Sequence, residues 1–399
     1  MKIGVIGAGT ASAVSILSVF HALQQRPIPK DDVVTISCIY DPSIPITQVG
    51  ESAGNAVQRL LFDVLDFDVL EDIDNFDGTL RWSTKYFWEE ANNKNFQVKY
   101  EQPGFHLNSE KFSKYVVDQL GKTYGNFIEI HDSVSAITQT DKQISVVCKN
   151  KTYDFDFVIN CSGTPTKEEL DSPAYRAPKF ESVNSVILFP HFEKYNESFT
   201  SSYVHKNGWM FGVPLQHRKA FGYLYNNKIT TTDDALAHFA EIKGIDTSSL
   251  RKFSWKPYYK VEAMTGRELA MGNRLYFFEP HQAIPLHYYI QLTYEFMYNL
   301  TVTSDVVSNT NKHINKFHLD NMDDIQDLIA LNYQGDNLIE SEFWSYARDH
   351  AVNRLTNSIT FKAWLHYVKI HGYTNFWCHS PSMMRGYVSG FGLSSKLRV

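Results

Sequence analysis

The stretch KIGVIGAGTASAVSILSVFHALQQR, residues 2–26, limits the possible folds more than any other in this chain. A short apolar run enters a glycine-rich turn, and Val14, Leu17, Val19, Phe20 and Leu23 follow at helical spacing until Pro27 stops the pattern. VVTISCIYD, residues 33–41, then reads as a second strand and completes a βαβ unit. In that setting Gly7 permits the tight turn and Gly9 lets a pyrophosphate approach the backbone. The helix beginning Thr10-Ala11-Ser12 supplies N–H groups and a positive dipole end. Asp41 closes the second strand where a carboxylate accepts ribose hydroxyls. Ser12 replaces the third glycine of the usual fingerprint; as the next smallest polar residue it weakens the motif without removing it. The plain alternative is an α/β turn that holds no nucleotide.

The rest of the chain narrows the class. Its 399 residues suffice for two or three lobes, or one large domain with an inserted layer. With 43% hydrophobic and 14% aromatic residues it collapses rather than staying disordered. A net charge of -6 without a basic cluster argues against nucleic acid as a partner. Cys38, Cys148, Cys161 and Cys378 form no CxxC pair, so neither zinc nor a disulfide framework is indicated, and a reducing cytoplasm is the expected compartment. No apolar run approaches the roughly 18 residues a membrane span needs. His106, His281, His287 and His379 lack metal-ligand spacing and read as partly buried, hydrogen-bonding histidines. NCSGT, from residue 160, lacks the GxSxG elbow of a serine hydrolase.

Periodicity predicts a helix from Asn55 to about Ile73, a strand in TLRWSTKYFWEE (79–90) and a helix from Ser109 to Gly121. An antiparallel meander is expected over residues 127–163, returning to a buried strand at Phe157–Cys161. An aromatic-rich sheet region over residues 183–260 and a mainly helical last 115 residues complete the pattern. The fold class is α/β, with expected divisions at 1–180 (a dinucleotide lobe, with 80–105 contributing to the site), 181–270 (a substrate-side sheet) and 271–399.

Several stretches together resemble the flavin-dependent halogenases of the tryptophan-halogenase type. They are GAGTAS (7–12), VGESA (49–53), NCSG (160–163), GWMFGVP (208–214), FFEPHQ (277–282), FW (343–344) and GFG (390–392), in the family's order. The resemblance extends to a shortened member of the kind a cyanophage carries, which would place it in a host cytoplasm. It implies a flavin-monooxygenase-like, Rossmann-type FAD-binding domain with a sheet-based substrate layer and a helical C-terminal region. It also implies FADH2 from a separate flavin reductase, with O2 and halide as co-substrates. The implied chemistry runs through a flavin hydroperoxide to hypohalous acid, which halogenates an aromatic ring at a lysine. Gly50, Glu51 and Ser52, Val134, Trp209 and Pro214 join the glycine turn and Asp41 as implied FAD contacts. Trp209, Phe211, Val213 and Pro214 occupy the places of the strap that separates flavin from substrate.

Three departures from the family pattern shape the expected site. Arg81 falls at the family's catalytic lysine and Lys85 at a second lysine four residues on; four apart on a strand, both are expected on one face. An amine can be N-halogenated, whereas a guanidinium is a poor nucleophile. Lys85 is therefore expected to transfer halogen, with Arg81 polarising the oxidant or attracting halide; the alternative is two solvated cations. Gln282 falls at the glutamate that takes the ring proton, which an amide cannot do, and Ile284 and Pro285 at the halide-holding backbone, where proline has no N–H; either the local register shifts by a residue, the preferred reading because the preceding segment is shortened to GNRLYFF, or halide is bound differently. Finally, the short span from Lys85 to Phe105 removes most of a lid and favours an open site for phenols, indoles or pyrroles. Tyr288, Tyr289, Trp344, Trp377 and Tyr387 are candidates to stack on such rings, or plain packing residues. Two other readings stay open: a flavin-dependent aromatic hydroxylase and a non-catalytic flavin-binding protein. A homo-oligomer is compatible with the sequence, and nothing in it selects one.

Overall fold

The computed structural model describes residues 1–25, 33–46, 51–88, 95–302, 306–335 and 339–393. The glycine turn sits in a six-stranded sheet with Lys2–Ile6 near its centre. Thr35–Tyr40 and Phe127–His131 lie to one side, and Phe157–Asn160, Glu268–Ala270 and Met264–Thr265 to the other. All neighbours run parallel except the last pair. Continuous apolar runs suit strands covered on both faces. The helix Thr10–Gln24 covers one face with Val14, Leu17 and Val19, and the helix Ile284–Val302 packs against it.

Two expectations are corrected here. The helix from Asn55 ends at Leu65, because Asp66 adopts a left-handed conformation (φ 53°) and Asp68 caps a separate turn, Val69–Asp72, by accepting from the Leu70 N–H. Short acidic side chains tolerate that conformation and compete with the helix for backbone partners. The break turns Phe67 and Phe76 onto each other and onto Phe105 and Tyr115. Phe127–His131 belongs to the parallel sheet; the antiparallel meander is confined to Val134–Gln139, Ile144–Cys148 and Thr152–Phe155.

The second large sheet has eight strands in the order Arg251–Ser254, Ser185–His191, Lys219–Tyr225, Gly208–Pro214, Phe199–His205, Thr79–Phe87, Phe96–Leu107 and Glu51–Ala53. GWMFGVP is thus an interior strand, paired over its length with Lys219–Tyr225 and along most of it with Phe199–His205. Its Met210 side packs with Phe221, Tyr223 and Phe239 under the helix Thr232–Lys243. Its Trp209 side meets Tyr333, at the end of the long helix Val306–Asn332. The chain crosses repeatedly between layers: Glu268–Ala270 completes the nucleotide-side sheet, while residues 51–53, 79–87 and 96–107 join the substrate-side sheet, so residues 180 and 270 do not divide separate sheets.

Candidate active site

The glycine turn has the geometry a dinucleotide needs. Gly7 has φ 101°, and a Cβ there would lie 2.7 Å from the Cys161 carbonyl oxygen. Gly9 caps the helix with backbone alone, and a Cβ on it would meet nothing within 4 Å, leaving the approach to the helix N-terminus open. Buried Ser12 resolves the question its position raises: its hydroxyl folds back to donate to the Gly7 carbonyl at 2.5 Å, satisfying itself inside the helix–strand contact. Thr10 is buried beside it, and Ala11 faces Gly272, whose Cβ would lie 2.9 Å from that of Ala11. The Asp41 carboxylate accepts from the Ser133 hydroxyl and from the Ser43 hydroxyl and N–H, which pull its pKa down to about 2. Val134 follows Ser133 at the start of the meander. These residues fit an ADP-type group. Gly50 lies outside the described residues, as does the side chain of Glu51, which is in the strand Glu51–Ala53. Gly7→Ala is expected to cost about 1–3 kcal/mol through strain at a left-handed position. Thermal unfolding and FAD titration of the variant should show a lower melting temperature and weakened FAD binding.

The strap strand is fully buried. A Cβ on Gly222, opposite Phe211, would lie 2.2 Å from the Phe211 ring, so glycine there gives the ring room to lie along the sheet. Trp209 Nε1 donates to the Tyr333 hydroxyl at 2.9 Å, and Tyr333 donates to Glu279 Oε1 at 3.0 Å; Ser182 donates to the other carboxylate oxygen. Burial pushes the Glu279 carboxyl up to about 7, against the pull of the Ser182 and Tyr333 hydrogen bonds.

Arg81 and Lys85 do not share a face. The pairing of Thr79–Phe87 with its neighbour shifts register between Arg81 and Ser83, a bulge that interrupts alternation. Thr79 and Arg81 lie on the side of Thr84, Tyr86 and Trp88, the side of Trp209 and Phe211. Lys85 lies on the opposite side, its ammonium over Phe87 at 4.7 Å and Phe199 at 5.6 Å. Arg81 is 4% exposed. Its Nε donates to Thr200 Oγ1 at 2.9 Å, and its Nη2 to Thr84 Oγ1 at 3.0 Å and the Tyr100 hydroxyl at 2.6 Å. Among the described residues Nη1 has no hydrogen-bond partner, and no carboxylate lies within ion-pair distance of the guanidinium.

A directional relay holds Arg81 to the end of the strap. Thr79 Oγ1 donates to the Pro214 carbonyl at 2.8 Å and lies 2.9 Å from His106 Nδ1, so that nitrogen carries the ring proton. His106 Nε2, 2.9 Å from Thr200 Oγ1, then accepts from Thr200, which itself accepts from Arg81. Burial, followed by the charges of Arg81 and Lys219, pushes the His106 imidazole well below its ordinary pKa, and it stays neutral. Ser52, in the strand next to the expected cofactor side, reaches the same Thr200 hydroxyl at 3.1 Å. Thr200→Val removes a hydrogen bond to a charged group, worth about 1.5–3 kcal/mol. Its kcat is expected to fall at least tenfold with little change in KM for the aromatic, as steady-state kinetics would show.

Three histidines join Arg81 on this side, which sequence spacing had not revealed. His281 packs against Trp209 at 4.8 Å between ring centres, and its Nε2 has no hydrogen-bond partner among the described residues. His379 has an equally unpartnered Nε2, and its Nδ1 lies 3.2 Å from Cys378 Sγ. Burial pushes the His281 imidazole down to about 3, and burial together with the charges of His287, Arg81 and His281 brings His379 down to about 3. His287 packs edge-on to Trp377 at 5.6 Å. The sequence named all three histidines only as partly buried residues; among them His281 alone lay in a family motif, FFEPHQ, and His379 comes from a distant segment.

Gln282 lies in the short turn His281–Ala283, and its side chain is outside the described residues. Buried Ile284 and then Pro285 open the helix Ile284–Val302, where a missing N–H breaks no helical bond but also offers nothing to an anion. Of the aromatic candidates, Tyr288 and Trp344 are tied into the core, Tyr288 to His318 Nδ1 at 2.6 Å and Trp344 to the His205 carbonyl at 2.9 Å. Tyr289 is buried against Tyr276, while Trp377 and Tyr387 flank His287 and His379.

The tryptophan halogenase family model matches residues 2–119 and 89–365, nearly the whole described chain. The chain belongs to the tryptophan halogenase family. Among curated relatives, it is 21% identical over 257 residues to tryptophan 7-halogenase RebH of Lentzea aerocolonigenes, covering 60% of this chain and 46% of that protein. It is 21% identical over 207 residues to tryptophan 6-halogenase ThaL of Streptomyces albogriseolus, covering 47% of this chain and 37% of that protein. The chain therefore spans less than half the length of these relatives. Among solved structures, a tryptophan halogenase from Shewanella frigidimarina superposes with a TM-score of 0.82 at 18% identity, over 98% of this chain and 88% of that one. BrvH, a flavin-dependent halogenase from Brevundimonas, superposes at 0.79 and 15% identity, over 98% and 90%. The fold is that of the flavin-dependent halogenases, as the motifs implied. No helix among the described residues is long and apolar enough to cross a membrane.

Proposed function

We propose that the protein halogenates electron-rich aromatic compounds of the phenol, indole or pyrrole type, using FAD reduced by a separate flavin reductase, with O2 and halide. When bound, the reduced flavin with O2 and halide supplies hypohalous acid. Gly7 and Gly9 shape the turn that takes the pyrophosphate at the N-terminus of the helix Thr10–Gln24, and Asp41 takes the ribose. Trp209, Phe211 and Val213 keep the acceptor ring away from the flavin side, braced by Tyr333 and Glu279.

Arg81 takes the transfer role. Its guanidinium cannot become a haloamine without losing its proton, so it acts as a donor. Nη1 hydrogen-bonds the oxygen of hypohalous acid and draws electron density from the halogen. The ring carbon attacks the halogen as the halogen–oxygen bond breaks; the departing hydroxide and the ring proton leave as water. The carrying observation is a buried guanidinium on the strap side that rests over the Tyr100 ring at 4.7 Å but has, among the described residues, no carboxylate within ion-pair distance and no hydrogen-bond partner for Nη1. Such a charge is costly to bury without a ligand. The test is incubation with a flavin reductase, FAD, NADH, an aromatic panel and each halide in turn, read by product mass. Halide-dependent halogenated product supports the reading. Oxygenated product independent of halide would favour a hydroxylase, and FAD binding without product a non-catalytic flavin protein.

A further inference from the structure

We propose that His379 takes the proton from the halogenated ring; this rests on the halogenation reading above. That reaction must dispose of a proton from the carbon that gains halogen, and the residues at the corresponding place in the sequence cannot accept it. Gln282 is an amide. Glu279 is sealed into the wall, both its oxygens accepting from Ser182 and Tyr333.

His379 has what the step requires. It is 3% exposed, yet its Nε2 meets no partner among the described residues. A buried nitrogen left unsatisfied is costly, which calls for a ligand. The turn that carries it is fixed: Phe376 and His379 exchange backbone hydrogen bonds at 3.1 and 3.0 Å, and Nδ1 is held against Cys378. Its ring lies 5.4 Å from Tyr387, on the helix Pro381–Gly390. That helix packs on Phe96–Leu107, the strand whose Tyr100 hydroxyl holds Arg81 Nη2, and Tyr387 meets Tyr86 edge-on at 6.0 Å. His379 and Arg81 thus lie on one side of the sheet, near enough for the guanidinium charge to act on the imidazole; with the ring proton on Nδ1, toward Cys378 Sγ, Nε2 offers a lone pair.

The acid–base match is favourable. A halogenated arenium cation is a very strong acid, so even a weakly basic imidazole accepts its proton, and burial keeps that imidazole neutral beforehand. The carbon–hydrogen electron pair returns to the ring, the proton goes to Nε2, and His379 passes it to the hydroxide at Arg81, releasing water and restoring the neutral ring nitrogen. His281, against the strap Trp209, offers a second unpartnered Nε2 but lies beside the wall.

The experiment compares ring-protonated and ring-deuterated aromatic substrate in the full chain with FAD, flavin reductase, O2 and halide. In the wild type, proton loss is fast and the two substrates react at equal rates. In His379→Gln, kcat is expected to fall about a hundredfold, with the deuterated substrate now clearly slower. In His379→Ala, added imidazole is expected to restore part of the rate. His379→Gln with wild-type kcat, a rate loss without an isotope effect or imidazole rescue, or an isotope effect emerging in His281→Gln instead, would overturn the assignment. No halogenated product from the wild type would overturn the halogenation reading itself.

Discussion

Arg81→Ala is expected to lower halogenation by about 10²–10³-fold, the usual loss when one preorganised donor to a developing anion is removed, while FAD binding stays near the wild-type level. The guanidinium contacts Thr84, Tyr100 and Thr200 on the strap side and does not form the glycine turn, so cofactor affinity and turnover should separate. Arg81→Lys should retain part of the rate, because an ammonium still donates but loses the planar fork that reaches Nε and Nη2 partners together. Lys85→Ala is the control. Its ammonium lies over Phe87 and Phe199 on the far side of the sheet, and its removal should change the rate no more than about twofold, the scale of an ordinary surface substitution. Single-turnover product formation with FAD titrated separately checks all three. Equal losses at Arg81 and Lys85 would return the transfer role to the amine.

The second large effect is on stability and its pH dependence. Glu279 has its carboxyl raised from 4.5 to about 7 in the folded protein. The native state therefore holds a proton that the unfolded chain has lost, and stability falls as pH rises from 4.5 through about 7. The total is about 3 kcal/mol, from the 1.36 kcal/mol that each pKa unit represents. Glu279→Gln removes this titration. Relative to the wild type, the variant should gain about that much stability from below to above the window. Denaturant unfolding at pH values on either side measures the difference; parallel curves for the two proteins would show that Glu279 does not titrate between folded and unfolded states.

Local pattern made much of this molecule legible. The turn at Gly7 and Gly9 announces itself because a strand, a glycine pair and an amphipathic helix follow one another, and GWMFGVP is visible as a short motif. Period-two reasoning failed between Arg81 and Lys85 because a bulge shifts parity without a mark in composition. The helix predicted through Ile73 failed because its apolar spacing continues past Asp66, whose left-handed backbone breaks it. The meeting of Arg81 with His281, His287 and His379 was hidden because the residues come from strand, turn, helix and C-terminal loop, and only three-dimensional packing brings them together. At Gln282 and Pro285 the sequence showed residues unable to serve as the family's base and halide donor, but it offered no substitute for the missing base.

The strap is a single strand stitched to a neighbour on each edge, with Pro214 at its end held by the Thr79 hydroxyl. A partition built this way is closed on both edges over Gly208–Gly212; on the proposed function, a small oxidant would pass at its far end, beside the residue anchoring that corner. On that proposal, acceptor scope and leak-tightness would be separable design variables: the C-terminal turn around Trp377 and His379 would set which rings enter, and the hydrogen-bonded corner of Thr79, His106 and Thr200 how much reagent escapes unreacted.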